Sequence, residues 1–183
     1  IYGSLEGVLL PCVLRSLLRY DPHTGEMFWV ERPDNMFSAK AHAKAWNAKY
    51  AGTQALTTIN QKGYHTGQIF NRAYRAHRVA WALFSGSWPV DQIDHINGVR
   101  TDNRILNLRE ATHAQNQHNT SARTNNTSGY KGVHFSRREK KWGARIRANG
   151  KRFDLGYFDS AEEAHAAYCT KAIEIHGEFA QFT

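Results

Sequence analysis

The sequence predicts an α+β protein made of two successive units. Apolar residues recur at helical spacing near the N-terminus and around residues 76–84, and residues 117–129 are dominated by loop formers. After that segment, alternating strand patterns precede one amphipathic helix. We therefore expect a first domain over residues 1–120, a linker over residues 117–129, and a second domain over residues 130–183.

Composition favours a globular chain that binds a polyanion. Of the 183 residues, 41% are hydrophobic and 12% aromatic, and the net charge is +8. Residues 121–158 contain 10 Lys/Arg and only 2 Asp/Glu, with aromatic residues interleaved. The alternative is a solvated basic face. No apolar stretch is long enough for a membrane span, so neither membrane association nor secretion is expected.

The first unit is predicted to hold two helices and a short strand before its main motif. Apolar positions from Leu10 to Leu18 fit a helix, a turn covers residues 21–25, and Met27–Val30 fits a strand. Residues 31–62 show little periodicity and carry no prediction. Residues 76–84 fit a buried helix, and His77 within it is interpreted as structural.

A polar constellation follows that helix. Asp94 and His95 are predicted at a strand end, with Asn107 thirteen residues after Asp94 and Asn116 in a following helical turn. Cleaving a phosphodiester requires an activated water and a cation that neutralises the phosphate. Asp94 and Asn116 offer hard oxygens suited to Mg²⁺ or Mn²⁺, and a histidine pKa near 6.5 suits His95 for deprotonating water.

This stretch, D-H-I-N-G followed by D-N-R-x-x-N-L-R, closely resembles the HNH nucleases of the ββα-metal class, of the phage and mobile-intron homing type. The resemblance implies that Asn107 ties the loop and fixes the His95 backbone. Read alone, Asn97-Gly98 fits a simple hairpin turn, but Asn107 and Asn116 at the family spacing favour the nuclease.

Other assignments around this motif stay open. His113 and His118 are alternative metal ligands. Arg100 and Arg109 are candidate phosphate contacts.

The second unit is predicted as three strands, Tyr130–Ser136, Lys141–Ala148 and Lys151–Phe158, followed by a helix that begins with the capping box Ser160-x-x-Glu163. This segment resembles the plant ethylene-response-factor (APETALA-type) DNA-binding domain, which lays its sheet in the major groove. Strand alternation separately places Arg145 and Arg147 opposite an apolar face. By motif position, the resemblance implies seven reading residues, namely Lys131, His134, Ser136, Arg145, Arg147, Arg152 and Asp154.

The sequence thus predicts a monomeric, Mg²⁺-dependent endonuclease that binds double-stranded DNA, with the nucleoid DNA in the cytoplasm of a bacterial host cell as its setting. One metal site per chain favours a nick over a double-strand cut. The alternative is a non-catalytic DNA-binding regulator that uses the second unit alone.

Overall fold

The structure, a computed structural model, describes residues 4–5, 8–118, 126–148 and 150–182. Its mixture of helices and small sheets confirms the predicted α+β class. The chain divides into two compact units, residues 1–110 and 111–183. That division comes ten residues before the predicted end of the first domain, and residues 119–125 of the predicted linker lie outside the described residues. The predicted domain limits therefore stay a prediction.

The first unit mixes short strands with three helices. In chain order these are β1 (Ser4–Leu5), β2 (Val8–Leu9), α1 (Pro11–Leu17), β3 (Leu18–Tyr20), β4 (Met27–Trp29), α2 (Lys40–Tyr50), β5 (Thr58–Ile59), β6 (His65–Ile69), β7 (Arg72–Arg75), α3 (Ala76–Ser85), β8 (Gln92–His95) and β9 (Leu108–Ala111). The pairs β1–β2 and β3–β4 and the sheet β5-β6-β7 are antiparallel, and β8 pairs with β9.

The core of this unit forms where α1 packs on α3. Leu14 and Leu17 from α1 and Val79 from α3 are completely buried, as the helical spacing of apolar residues predicts. Gly86, with φ of +81°, ends α3 in the left-handed conformation that glycine adopts without steric cost. Ile93 on β8 and Leu108 on β9 belong to the same core cluster, so the β8–β9 pair packs into this core.

Helix α2 was not predicted, because its Ala/Lys-rich sequence has no apolar stripe. Of its eleven residues only Ala43 is buried. It is anchored by single long-range contacts: Trp46 packs edge-on against Trp29 at 5.7 Å, and the Arg32 guanidinium lies 3.8 Å from the Trp46 ring centroid. Such contacts leave no periodic signal in the sequence.

The second unit contains a short helix, a three-stranded sheet and a long helix. They are α4 (His113–His118), β10 (Val133–Ser136), β11 (Lys141–Ala148), β12 (Lys151–Phe158) and α5 (Ala161–His176). The sheet is antiparallel in the order β10-β11-β12. The predicted second and third strands are confirmed to the residue, whereas the first begins three residues later than predicted, because Tyr130–Gly132 forms turns.

Helix α5 covers one side of this sheet and begins as the capping box predicts, with Ser160 Oγ accepting a hydrogen bond from the Glu163 backbone N–H at 3.1 Å. Ala164 and Tyr168 on the helix are buried against the sheet, together with Ile146 on β11. No helix in the described ranges combines the length and apolar character that crossing a bilayer requires.

Candidate active site and nucleic-acid interface

The residues predicted for catalysis in the first unit lie on the β8–β9 hairpin. Asp94 and His95 are the last two residues of β8, and only 4% and 3% of their surfaces are exposed. Neighbouring strand residues point to opposite sides, and their side chains have different partners, Arg109 for Asp94 and Asn103 for His95. The hairpin thus holds a carboxylate and an imidazole in adjacent, largely dry environments.

Asn107 closes the loop between the two strands. Its Oδ1 accepts a hydrogen bond from the Asn97 backbone N–H at 3.0 Å, and its Nδ2 donates to the Asp102 carbonyl at 2.8 Å. Its own carbonyl accepts from the Ile96 N–H at 2.9 Å. These bonds fasten the residues directly after His95 to the far end of the loop, which is the arrangement that the loop-tying role requires. The importance of this arrangement for catalysis stays a prediction.

The imidazole of His95 sits among polar and aromatic groups from three distant segments. Its Nε2 lies 3.3 Å from Asn103 Oδ1, and Asn103 Nδ2 lies 3.5 Å from His65 Nδ1. Burial lowers the pKa of His95, against the opposing effects of the Asn103 hydrogen bond and of the Asp94 charge. A neutral imidazole that donates from Nε2 to Asn103 keeps Nδ1 as its basic nitrogen, as a general base requires.

Asp94 is held by an ion pair with Arg109 on β9. Arg109 Nε and Nη2 lie 2.9 and 2.8 Å from Asp94 Oδ2, and 12% and 5% of the two side chains are exposed. A carboxylate is the hard oxygen donor that Mg²⁺ prefers, so the chemistry of this residue fits a divalent ion, which would have to share or displace the Arg109 contact. Arg109, predicted as a phosphate contact, binds the candidate metal ligand here.

The other predicted ligand, Asn116, belongs to the second unit. It lies in α4, where its backbone N–H donates to the Thr112 carbonyl at 3.0 Å. His113 is the first residue of the same helix, and the His118 side chain falls outside the described part of the chain. Across the described residues no group of three or more His, Cys, Asp or Glu side chains is arranged to hold a metal. The pairing of Asp94 with Asn116 therefore stays a prediction.

Comparison with known proteins bears on this hairpin. A family profile described as HNH endonuclease matches residues 74–118, the span that contains Asp94, His95, Asn107 and Asn116. Protein 3.8 of Escherichia phage T7 is 34% identical over 114 residues, which cover 62% of this chain and 93% of that protein. The chain belongs to the HNH endonuclease family. A solved structure of DNA binding and cleavage by the HNH homing endonuclease I-HmuI is 18% identical, with a TM-score of 0.38 over 87% of this chain and 85% of that one.

Residues that the sequence did not predict as part of the site lie next to the HNH hairpin. The Tyr64 and His77 rings lie 5.8 and 5.0 Å from the His95 ring. Burial lowers the pKa of His77 to about 3, with His95 and nearby arginines adding to the effect, so this residue is neutral. Arg100, a predicted phosphate contact, lies 5.1 Å from the Tyr64 ring centroid. No local pattern indicates this convergence, because it joins residues far apart in sequence.

The second unit of the HNH protein presents six of the seven predicted reading residues on one surface. We define the open face as the side of the β10-β11-β12 sheet opposite α5. It is formed by His134, Ser136, Lys141, Arg145, Arg147, Arg152, Asp154 and Tyr157. Arg145 and Arg147 are exposed, whereas Ile146 between them and Ala144 before them are buried, as alternation predicts. Arg152 forms an ion pair with Asp154 and Lys141 forms one with Asp159, each at 2.9 Å. These pairs leave the arginines of the central strand as the main cationic groups of the face.

Tyr157 joins the open face because β12 contains a bulge. Arg145 pairs with Asp154 but Ala144 pairs with Gly156, so Leu155 is the extra residue. Strict alternation from Phe153 predicts Tyr157 on the helix side, and the bulge reverses this. Tyr157 and His134 both lie over Gly143, where an added Cβ would come within 3.2 Å of Tyr157 Cε1 and 2.7 Å of His134 Cε1. Glycine is required there for the two rings to approach.

Lys131 lies outside the strands, in the turn before β10. Burial lowers its pKa from the usual 10.5 to about 8. Its charge is therefore sensitive to pH in a range where the arginines of the open face keep theirs.

Proposed function

We propose that this protein is a site-specific DNA endonuclease that hydrolyses phosphodiester bonds with one divalent ion and a histidine general base. The observation that carries the proposal is the buried imidazole of His95, whose position is fixed by Asn103 and by the loop that Asn107 ties. Enzymes tune such groups by burial so that the basic form is populated near neutral pH.

In this mechanism His95 Nδ1 takes a proton from the attacking water while Nε2–H keeps its hydrogen bond to Asn103. Asn107 prevents the His95 backbone from moving as the ring becomes charged. Asp94 and Asn116 would hold Mg²⁺ or Mn²⁺, whose positive charge neutralises the phosphate and the leaving oxygen. Arg109 fixes the Asp94 carboxylate through two hydrogen-bonding groups on one side of the guanidinium.

The open face is proposed to read double-stranded DNA. Arg145 and Arg147 are exposed on adjacent positions of one strand face, the arrangement that allows an arginine to contact guanine O6 and N7 in the major groove. The resemblance to APETALA-type domains supports this assignment for His134, Ser136, Arg152 and Asp154, and for Lys131 beside the sheet. With one such unit and one catalytic hairpin per chain, we propose a homing-type monomer that nicks its site in the bacterial cytoplasm.

The alternative function, a regulator that binds DNA without cutting it, is favoured by one observation. The Asp94–Arg109 ion pair occupies a carboxylate oxygen that a catalytic metal would use. Cleavage assays separate the two functions directly.

The test uses supercoiled phage and host DNA with purified protein in Mg²⁺. We expect nicked product, loss of nicking in EDTA, and a rate about 10²- to 10⁴-fold lower for His95→Ala. His23→Ala, which removes an exposed histidine of the same unit, is the matched control and should cut normally. Binding without any metal-dependent nicking would favour the regulator.

A further inference from the structure

Three aromatic rings pack against one another beside the candidate base. The centroids of Tyr64 and His77 are 5.0 Å apart, those of His77 and His95 5.0 Å, and those of Tyr64 and His95 5.8 Å. Each ring therefore contacts the other two, and Tyr64 is the most exposed of the three. A ligand that binds beside Tyr64 is therefore separated from the His95 ring only by the Tyr64 ring itself.

Two arginines from different segments meet at this tyrosine. The guanidinium carbon of Arg75, the last residue of β7, lies 5.5 Å from the Tyr64 ring centroid, and that of Arg100, in the β8–β9 loop, lies 5.1 Å away. Arg100 is also fixed by a hydrogen bond from Nη1 to the Lys62 carbonyl at 2.7 Å. Both contacts have cation–π geometry, which orders side chains that would otherwise be mobile.

The arginines of the hairpin and of β7 differ in whether a carboxylate neutralises them. Arg104 and Arg109 are paired with Asp102 and Asp94. Arg75 and Arg100 take part in none of the ion pairs found among the described residues. Both guanidiniums lie within 5.5 Å of the Tyr64 ring centroid, and planar guanidiniums bind phosphate oxygens through parallel N–H donors.

We propose that Arg75 and Arg100 bind the non-bridging oxygens of the phosphate that is cut, and that Tyr64 is a positioning residue that holds both guanidiniums beside His95. The inference rests on the proposed endonuclease function and extends it to residues outside the metal and base pair. Guanidiniums suit this task because their planar N–H groups match phosphate oxygens and keep their charge at every relevant pH. Stabilising charge that develops on those oxygens accelerates the chemical step more than it strengthens binding.

The test compares Arg75→Ala with Arg72→Ala. Both residues belong to β7, three positions apart, so they lie on opposite faces of the strand while the change in net charge is the same. We expect Arg75→Ala to lower the single-turnover cleavage rate at saturating protein about 100-fold, as removal of one charge-stabilising donor does. Its DNA affinity should change little, and Arg72→Ala should change either quantity by no more than about twofold. Arg75→Lys should recover part of the rate.

Two outcomes would overturn the inference while leaving the proposed function standing. The first is that Arg75→Ala cuts DNA at the wild-type rate while His95→Ala cuts more slowly. The other is Arg75→Ala losing affinity and rate by the same factor, which would make Arg75 a general backbone contact. Failure of the wild-type protein to cut in Mg²⁺ would instead overturn the proposed function and this inference with it.

Tyr64 is tested by two substitutions of different severity. Tyr64→Phe keeps the ring that contacts both guanidiniums, so it should retain most of the cleavage rate that a variant without the ring loses. Tyr64→Leu removes the ring and should reproduce the loss seen for Arg75→Ala, with a melting temperature that confirms folding. Equal rates for the two variants would contradict the positioning role, because the ring would then make no difference.

Discussion

The two units arrange their functional side chains in opposite ways. The first unit buries Asp94 and His95 and surrounds them with groups from residues 64, 77, 103 and 109. The second unit leaves Arg145 and Arg147 exposed and positions them by alternation along a single strand. Chemistry benefits from desolvation, which lowers the pKa of His95, whereas reading DNA requires donors that reach a partner. A buried site built from distant segments should be damaged by different substitutions from those that damage an exposed face.

The largest expected effect concerns the frame that supports the open face. Gly132 has φ of +76°, and an added Cβ would lie 2.2 Å from Tyr168 Cδ2 and 2.8 Å from the Arg145 carbonyl. Gly132→Ala should lower the free energy of unfolding by about 2 to 4 kcal/mol, which combines left-handed strain with overpacking. Gly150→Ala is the control, since φ is +74° and nothing lies within 4 Å. Chemical denaturation of both variants measures the difference, and equal losses would show that backbone strain alone matters.

A substitution in the hairpin loop should affect cutting without a matching effect on binding. Asn107→Ala frees the loop after His95, and misplacing a catalytic group by about 1 Å costs roughly 100-fold in rate. Asn47→Ala is a close control, because Asn47 makes bonds of 3.0 and 2.8 Å to the Arg32 backbone, as Asn107 does to Asn97 and Asp102. Single-turnover cleavage should fall only for Asn107→Ala. A similar fall for both variants would point to general destabilisation.

The two units also differ in how far their structures could be predicted from the sequence. The strands and capping box of the second unit were predictable because alternation, Asn149-Gly150 and Ser160-x-x-Glu163 are local signals. The bulge at Leu155 was not, since it depends on pairing with β11, and it brought Tyr157 to the open face.

In the first unit, the spacing of Asp94, His95 and Asn107 along the sequence identified them as motif residues. The residues that contact His95 in the structure could not be identified in this way. Tyr64, His77 and Asn103 reach His95 only because the residue before β6, helix α3 and the hairpin loop fold together. Helix α2 was missed for a related reason, because Trp46 and Ala43 anchor it without a periodic apolar stripe.

The smallest effect is a pH dependence specific to the second unit. Since burial lowers the pKa of Lys131 to about 8, this side chain is cationic at pH 7 and largely neutral at pH 9. DNA affinity should therefore fall several-fold between these pH values, about what one lost phosphate contact costs. Lys131→Arg should remove most of that dependence, because arginine keeps its charge. Titrations at both pH values in constant salt measure this, and an unchanged slope in the variant would exclude Lys131 from the interface.

Under the proposed function, the first unit cuts DNA and the second unit reads its sequence. This division of roles is tested most directly with two variants, His95→Ala and Arg147→Ala. For each variant we would measure the Kd for a mapped DNA target and the single-turnover cleavage rate at saturating protein. We expect His95→Ala to keep its Kd and to lose its cleavage rate. Arg147→Ala should keep its saturated rate and lose about 1 to 3 kcal/mol of affinity for the target alone. If Arg147→Ala weakened target and unrelated DNA by the same factor, or if both variants lost rate and affinity together, the division between the two units would be wrong.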